Sequence, residues 1–274
     1  MLIDTHCLLD FQAFEADRTE ALDRAQAAGV VGVLNPAIDL ETSRAILLLV
    51  QEYAPMVAAV GVHPNSALTW NDDSFDELCQ LAASVQVKAI GEIGLDYYRD
   101  RAPKSLQQEI FRRQLELAGR VNRPVIIHCR DSSPTDQQAT QDLLATLDEW
   151  RSGLQAAGSP VADCPGVLHS FAGSAENALR ALELGFFIGI TGPVTFQNAK
   201  DLQKVVTCLP LNRIVIETDA PFLTPHPFRG KRNEPAYVRL VADKIAELQG
   251  LDREVVATQT TSNAERLFNW RVNL

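Results

Sequence analysis

The sequence predicts a single (β/α)8 barrel over residues 1–274, and three observations predict it. Eight short β-branched runs recur along the chain. Each is followed by a helix-sized segment, and no composition shift or linker marks a second domain. An open, doubly wound sheet shows the same alternation, but no Gly-x-Gly-x-x-Gly follows the first run.

In order, strands are expected at Leu2–Cys7, Val30–Asn35, Met56–Val62, Lys88–Leu95, Pro124–Cys129, Gly166–Phe171, Phe186–Thr191 and Arg213–Thr218. Their Val, Ile and Phe content suits strands buried on both faces. Helical spacing of apolar residues marks Arg18–Ala28, Leu40–Tyr53, Phe75–Ala83, Leu106–Val121, Asp136–Ala157 and Ala175–Leu184. The stretch Glu234–Leu274 supplies the last helices.

Composition narrows the function classes. Hydrophobic residues make up 46% and charged residues 22%, as in an ordinary globular chain. No apolar run reaches the ~18–20 residues that span a bilayer. The start, Met1 to His6, has neither a basic nor a long apolar segment, so no membrane and no export signal are expected. Five cysteines without paired spacing fit a reducing, cytoplasmic setting. The net charge of −10 argues against holding nucleic acid by a global field; bound cations and a few arginines must hold it locally.

Metal-capable side chains stand at the C-terminal ends of the expected strands: His6 on the first, His63 on the third, Glu92 on the fourth, His128 on the fifth, His169 on the sixth and Asp219 on the eighth. That edge is where barrels build active sites. A lone histidine there is more often packed than ligating, but four of the chain's five histidines share the edge, and His226 follows Asp219 closely. Imidazoles with two carboxylates suit zinc, manganese or a mixed pair of ions.

The stretches Asp4-Thr5-His6-Cys7, Gly61-Val62-His63-Pro64, Gly91-Glu92-Ile93-Gly94-Leu95-Asp96-Tyr97, Pro124-Val125-Ile126-Ile127-His128-Cys129-Arg130-Asp131, His169-Ser170-Phe171-Ala172-Gly173 and Glu217-Thr218-Asp219-Ala220-Pro221-Phe222-Leu223 occur in this order. With Arg229-Gly230-Lys231-Arg232-Asn233-Glu234-Pro235, they resemble the TatD family of metal-dependent deoxyribonucleases, among the amidohydrolase-like barrels. The resemblance covers nearly the whole chain. It implies one or two divalent ions (zinc, magnesium or manganese) and a DNA substrate taken as single strands or ends. It also implies one ion on His6, Glu92 and Asp219, a second on Glu92, His128 and His169, and Glu92 bridging them.

Two positions depart from the family. Leu8 stands where the first strand carries a second histidine, and Asn65 where another histidine often follows His-Pro. Residues 6 and 8 share a strand face, so Cys7 cannot stand in for the missing imidazole. The site of His6, Glu92 and Asp219 is therefore expected to bind its ion weakly, or only with substrate.

Asp219, Glu92, His63 and Arg130 form the expected catalytic group. Metal lowers the pKa of water to ~7, and Asp219 is expected to orient and deprotonate it, with plain ligation as the alternative. Arg130 shares parity with His128 and can meet a phosphate, or pair with Asp131 instead. His63 can hydrogen-bond a phosphate, carry a proton, or serve structurally. Glu217 is expected to point inward below Asp219, with Lys88 as a partner.

Residues Arg229–Arg232 are the most concentrated positive run and are expected to flank the mouth. Tyr97, Tyr98, Phe171, Phe196 and Phe222 are expected as core or rim, with base stacking as a further role. Cys79 and Cys129 read as inert thiols. The other readings are a barrel hydrolase of a small ester, lactone or amide, and a degenerate barrel that has lost catalysis.

Overall fold

The computed structural model describes residues 1–133 and 135–271. Its strands are β1 (Leu2–Asp4), β2 (Val30–Pro36), β3 (Met56–Val60), β4 (Val87–Asp96), β5 (Val125–Arg130), β6 (Gly166–Leu168), β7 (Phe187–Ile190) and β8 (Ile214–Ile216). All neighbouring pairs are parallel, in the order β1-β2-β3-β4-β5-β6-β7-β8. Outside lie α1 (Arg18–Ala27), α2 (Leu40–Glu52), α3 (Ser74–Leu81), α4 (Lys104–Val121), α5 (Gln138–Ala156), α6 (Ala175–Glu183), α7 (Lys200–Cys208), α8 (Val238–Gln249) and α9 (Arg253–Phe268). The alternation is that of a (β/α)8 barrel.

The seam between β8 and β1 closes through the segments that follow each strand. Thr5 N donates to Ile216 O (3.1 Å), Asp219 N to His6 O (2.8 Å) and Leu8 N to Ala220 O (2.8 Å). These bonds satisfy edge groups that would otherwise stand unpaired. The ladders end sooner than the sequence suggests. β1 stops at Asp4, β6 at Leu168 and β8 at Ile216. Ser170 (φ 44°) and Asp219 (φ 56°) enter the left-handed region, which no strand can continue through. His6, His63, His169 and Asp219 therefore sit just past the strands rather than within them.

The core has two layers. Inside the barrel, Ile3, Leu34, Val57, Ala89, Ile126, Val167, Phe187 and Val215 interdigitate, and Leu267, Phe268 and Trp270 plug the N-terminal end. Gly32 permits the plug, since a β-carbon there would lie 2.5 Å from the Trp270 ring. Between strands and helices, a larger apolar layer includes Ile46, Leu78, Phe111, Leu147 and Ile245. Each such side chain contributes about 1.5–3 kcal/mol by leaving water.

Ala89 belongs to the inner layer, so Lys88 faces the other way and is half-buried. The expected inward Lys88 fails because β4 shifts register against β5 between Ile90 and Ile93. Counting parity backward from Glu92 crosses that irregularity.

Helix α4 steadies two strand ends directly. Gln107 and Gln114, both buried, lie seven residues apart on its inner face. Gln114 accepts from Val62 N (2.7 Å) and donates to Val62 O (2.9 Å). Gln107 accepts from Asp96 N (2.8 Å) and donates to Asp96 O (3.0 Å). Backbone groups near His63 and at Asp96, where the ladders give out, are thereby satisfied.

Candidate metal centre

The mouth gathers His6, His63, Glu92, His128, His169 and Asp219, the residues singled out at the expected strand ends. Their donor atoms form two groups, His6 with His169 and Asp219, and His63 with Glu92 and His128. Within each group every donor atom lies within 4.8 Å of the others. Glu92 spans both groups. Its Oε2 is 3.4 Å from His6 Nε2, and its Oε1 is 2.8 Å from His128 Nδ1 and 3.6 Å from His63 Nε2.

The resemblance implies His169 beside Glu92 and His128, but its ring stacks on His6 at 3.4 Å between centroids. Its Nδ1 bonds Glu217 Oε2 (2.8 Å), and its Nε2 is 3.6 Å from Asp219 Oδ1. The buried Glu217 draws it there. Burial raises the carboxyl of Glu217, but His169, its hydrogen bond and His6 outweigh this and keep it below the usual range. Glu217 also accepts from Ser170 N (3.0 Å) and Thr5 Oγ1 (3.2 Å). These three residues, not Lys88, are its partners.

His128 lies between two carboxylates, Glu92 and Asp96, the latter 3.2 Å from Nε2. Burial lowers its pKa, but the two acids prevail and raise it to about 9. Burial pushes the Glu92 carboxyl up, yet the surrounding imidazoles and the His128 hydrogen bond hold it well below its ordinary value. Burial and the His128 charge depress His63 to about 3, so its ring is neutral. Asn65 N donates to His63 Nδ1 (3.0 Å), which leaves the ring proton on Nε2.

The donor set fits a divalent cation. His6 is fully buried, and neither ring nitrogen makes a hydrogen bond among the described residues. Buried imidazole nitrogens without partners are costly. Nε2 instead faces two carboxylates, Glu92 at 3.4 Å and Asp219 at 3.7 Å. Three further imidazoles stand nearby, and nitrogen with oxygen donors suits zinc or manganese.

The chain matches the family described as TatD related DNase over residues 3–269. It belongs to that family. The metal-dependent hydrolase YabD of Bacillus subtilis is 43% identical over 273 residues, covering 100% of both chains. The 3'-5' ssDNA/RNA exonuclease TatD of Cronobacter sakazakii is 36% identical over 260 residues, 93% of each chain. Among solved structures, the TatD homologue YjjV of Escherichia coli K12 superposes with a TM-score of 0.88. It has 33% identity and 98% coverage of both chains. This TatD-family chain is a metal-dependent hydrolase.

The departures now have a setting. Leu8 is buried, and its side chain brings no donor to the His6 group. Cys7 packs into the layer between strands and helices. Asn65 Nδ2 donates to Asp96 Oδ2 (3.0 Å), so the residue at the second departure helps hold the acid that faces His128.

Arg130 does not pair with Asp131, which instead accepts from Thr140. Its guanidinium lies 3.9 Å above the Tyr98 ring. The run Arg229–Arg232 is not a free basic patch. Arg232 bonds Asp17, Arg229 lies over Phe196 and Lys231 over Phe228. Tyr97 and Phe171 are buried, whereas Tyr98 and Phe222 are exposed. Cys129 is bonded to Thr140, and Cys79 is half-buried.

Sequence reasoning missed Asp96, Gly189 and Asn233. Asp96 stands inside the Gly91–Tyr97 stretch, four residues past Glu92, so its position was visible though its role was not. A β-carbon on Gly189 would meet the Glu217 carboxylate. Asn233 donates to Thr218 O (2.8 Å) and Phe222 O (2.6 Å), bracing the turn that carries Asp219. Asp4 adds a lock between the seam segments, accepting from Thr218 N (2.9 Å) and Thr218 Oγ1 (2.6 Å).

Proposed function

We propose that the chain hydrolyses phosphodiester bonds of DNA, from single strands or strand ends, with one or two divalent ions held at the barrel mouth. One observation carries the reading: Glu92 turns one oxygen to His6 and the other to His128 and His63. A carboxylate so placed can serve two cations at once. The name of the Cronobacter relative, an exonuclease of single-stranded DNA and RNA, supports the substrate class.

The ligands would be His6, Glu92, His128, His169 and Asp219. A bound divalent ion supplies Lewis acidity at a phosphoryl oxygen and makes water ionisable near pH ~7. Asp219 Oδ1, beside His6 and His169, takes the proton from the attacking water. His63 keeps its proton on Nε2 and donates to a non-bridging phosphate oxygen. Arg130 neutralises the neighbouring phosphate with its planar fork. Asp96 and Glu217 act through His128 and His169, fixing each ring.

The setting we propose is the cytoplasm. All five cysteines are free thiols, and no described helix is long and apolar enough to cross a membrane.

Chelator-treated protein, reloaded separately with Mg²⁺, Mn²⁺ or Zn²⁺, tests the proposal on a single-stranded oligonucleotide. Release of nucleotides that returns with metal and vanishes in Glu92→Ala is the expected result. Cleavage that survives Glu92→Ala, or no cleavage with any of the three ions, would overturn it.

A further inference from the structure

Asp219 holds a backbone conformation, φ 56°, that an aspartate keeps only where its surroundings enforce it. On the inner side the chain after β1 supplies the hold, since Asp219 N donates to His6 O (2.8 Å) and Leu8 N to Ala220 O (2.8 Å). On the outer side stands the buried Asn233. Its Nδ2 reaches Thr218 O (2.8 Å) and Phe222 O (2.6 Å), and its backbone N donates to Pro221 O (3.1 Å). Asn233 lies in the connection between β8 and α8, outside any strand or helix. Something beyond a ladder or a helical turn must fix its place.

Its two neighbours in the chain do so. Arg232 and Glu234 both reach α1, where they close a ring of alternating charges with Asp17 and Arg24. Arg24 grips both oxygens of Glu234, with Nε at 3.1 and 3.0 Å and Nη2 at 2.7 Å, and its Nη2 also donates to Asp17 (3.0 Å). Arg232 straddles Asp17 at 2.5 and 2.8 Å, donates to Ala13 O (2.6 Å) and lies 4.5 Å over the Phe14 ring. Arg232 Nη2 closes the ring at 3.8 Å from Glu234 Oε2. The Arg232 hydrogen bond, joined by that of Arg24, holds the Asp17 carboxyl well below its usual range against the cost of burial. Helix α1 is a firm anchor, with Ala21, Leu22 and Ala25 buried in the layer between strands and helices. Isolated surface ion pairs contribute little, but a network of two-pronged arginine contacts fixes geometry.

We propose that Asp17, Arg24, Arg232 and Glu234 are positioning residues for Asp219, a clamp that sets the aspartate through Asn233 from outside the mouth. The proposal rests on Asp219 serving as ligand and base of the phosphodiesterase site. None of the four brings a donor atom to either metal group, so their effect on metal and on turnover passes through the turn. Cutting the clamp therefore weakens metal binding and lowers kcat, while the groups that meet the substrate phosphate stay in place and KM holds.

The test uses full-length protein carrying Asp17→Ala, Arg232→Met or both. Arg180→Met is the control, since it cuts a comparable surface network, to Asp148 and Glu183, away from the turn. Isothermal titration with Zn²⁺ is expected to show affinity about tenfold lower in each single clamp variant, the mild end of the scale for a lost outer partner. The double variant should be no weaker than the weaker single, because one cut already frees the loop. On a single-stranded oligonucleotide kcat should fall by about the same factor with KM unchanged. Arg180→Met should match wild type in each measurement.

Urea unfolding separates positioning from stability. A clamp variant with a lowered midpoint but wild-type Zn²⁺ affinity and kcat overturns the proposal, and so does an affinity loss shared by Arg180→Met. Losses that simply add in the double variant also overturn it, since they would mean two independent effects. Asp17→Asn, which keeps the shape of the side chain, stands in if Asp17→Ala does not fold. If no protein, wild type included, cleaves the oligonucleotide, the phosphodiesterase reading fails by itself. The Zn²⁺ titration then still decides the clamp by the same criteria.

Discussion

A β-carbon built on Gly189 would lie 2.4 Å from Glu217 Oε2 and 2.5 Å from Oε1. The bare backbone of β7 therefore makes the room in which Glu217 receives His169, Ser170 and Thr5. Gly189→Ala should push the carboxylate aside and release the His169 ring. Metal affinity is expected to drop about 10–100-fold, the scale for losing such an outer partner. Overpacking should cost about 1–3 kcal/mol of stability. Isothermal titration with Zn²⁺ and urea unfolding measure the two effects. Wild-type values in both would disprove the steric relation.

Leu8 brings no donor to the His6 group, whose own histidine makes no ring hydrogen bond among the described residues. Leu8→His should therefore increase metal content, with affinity gained on the scale of about 10–100-fold. Elemental analysis of the purified protein reads this. Equal occupancy in the two proteins would mean that position 8 cannot reach the ion.

Asn233 is fully buried and ties Thr218 O and Phe222 O together across the turn that carries Asp219. Asn233→Ala leaves two carbonyls without their donor, at about 1–3 kcal/mol. The rate should fall more than KM rises, because Asp219 loses its support while His63 and Arg130 are untouched. Steady-state kinetics beside denaturation separate these. A variant with wild-type kcat would refute the bracing role.

Tyr97 donates to Asp142 (2.8 Å) and accepts from Gln108 (2.7 Å). Burial and the Asp142 charge raise its phenol to about 12, with the Gln108 bond opposing. Between pH 10 and about 12 the folded chain keeps a proton that the unfolded chain releases. The contribution to stability is thus complete below pH 10 and is lost as pH climbs towards about 12. Tyr97→Phe should flatten that part of the stability curve. Ultraviolet titration of the phenol gives its midpoint directly, and an ordinary tyrosine value would contradict the assignment.

Much of the site was legible because ligand chemistry is written in residue type. Histidine is scarce, and His6, His63, His128 and His169 fall at the ends of the first, third, fifth and sixth strands, where a barrel can bring them together. Parity also placed Glu217 inward and Cys129 outward, since β5 and β8 run without irregularity into the site. The same count misplaced Lys88, because a register shift between Ile90 and Ile93 reverses the faces of β4. Charge runs misled for a related reason. Residues Arg229–Arg232 look like a patch in sequence, but the fold gives Arg232 to Asp17 and lays Arg229 on Phe196.

By itself, the sequence determined the eightfold alternation, the barrel and the residues that meet at its mouth, because periodicity and donor type are local properties. Tertiary structure alone decided which donors stand together: that His169 stacks on His6, that Glu92 spans both groups, and that Arg130 lies on Tyr98. Those choices turn on steric room and on competing buried charges from strands far apart in the chain. Gly189 on β7 and Glu217 just past the end of β8 are the clearest case, since a missing methyl group signals nothing until a carboxylate is seen to fill its place.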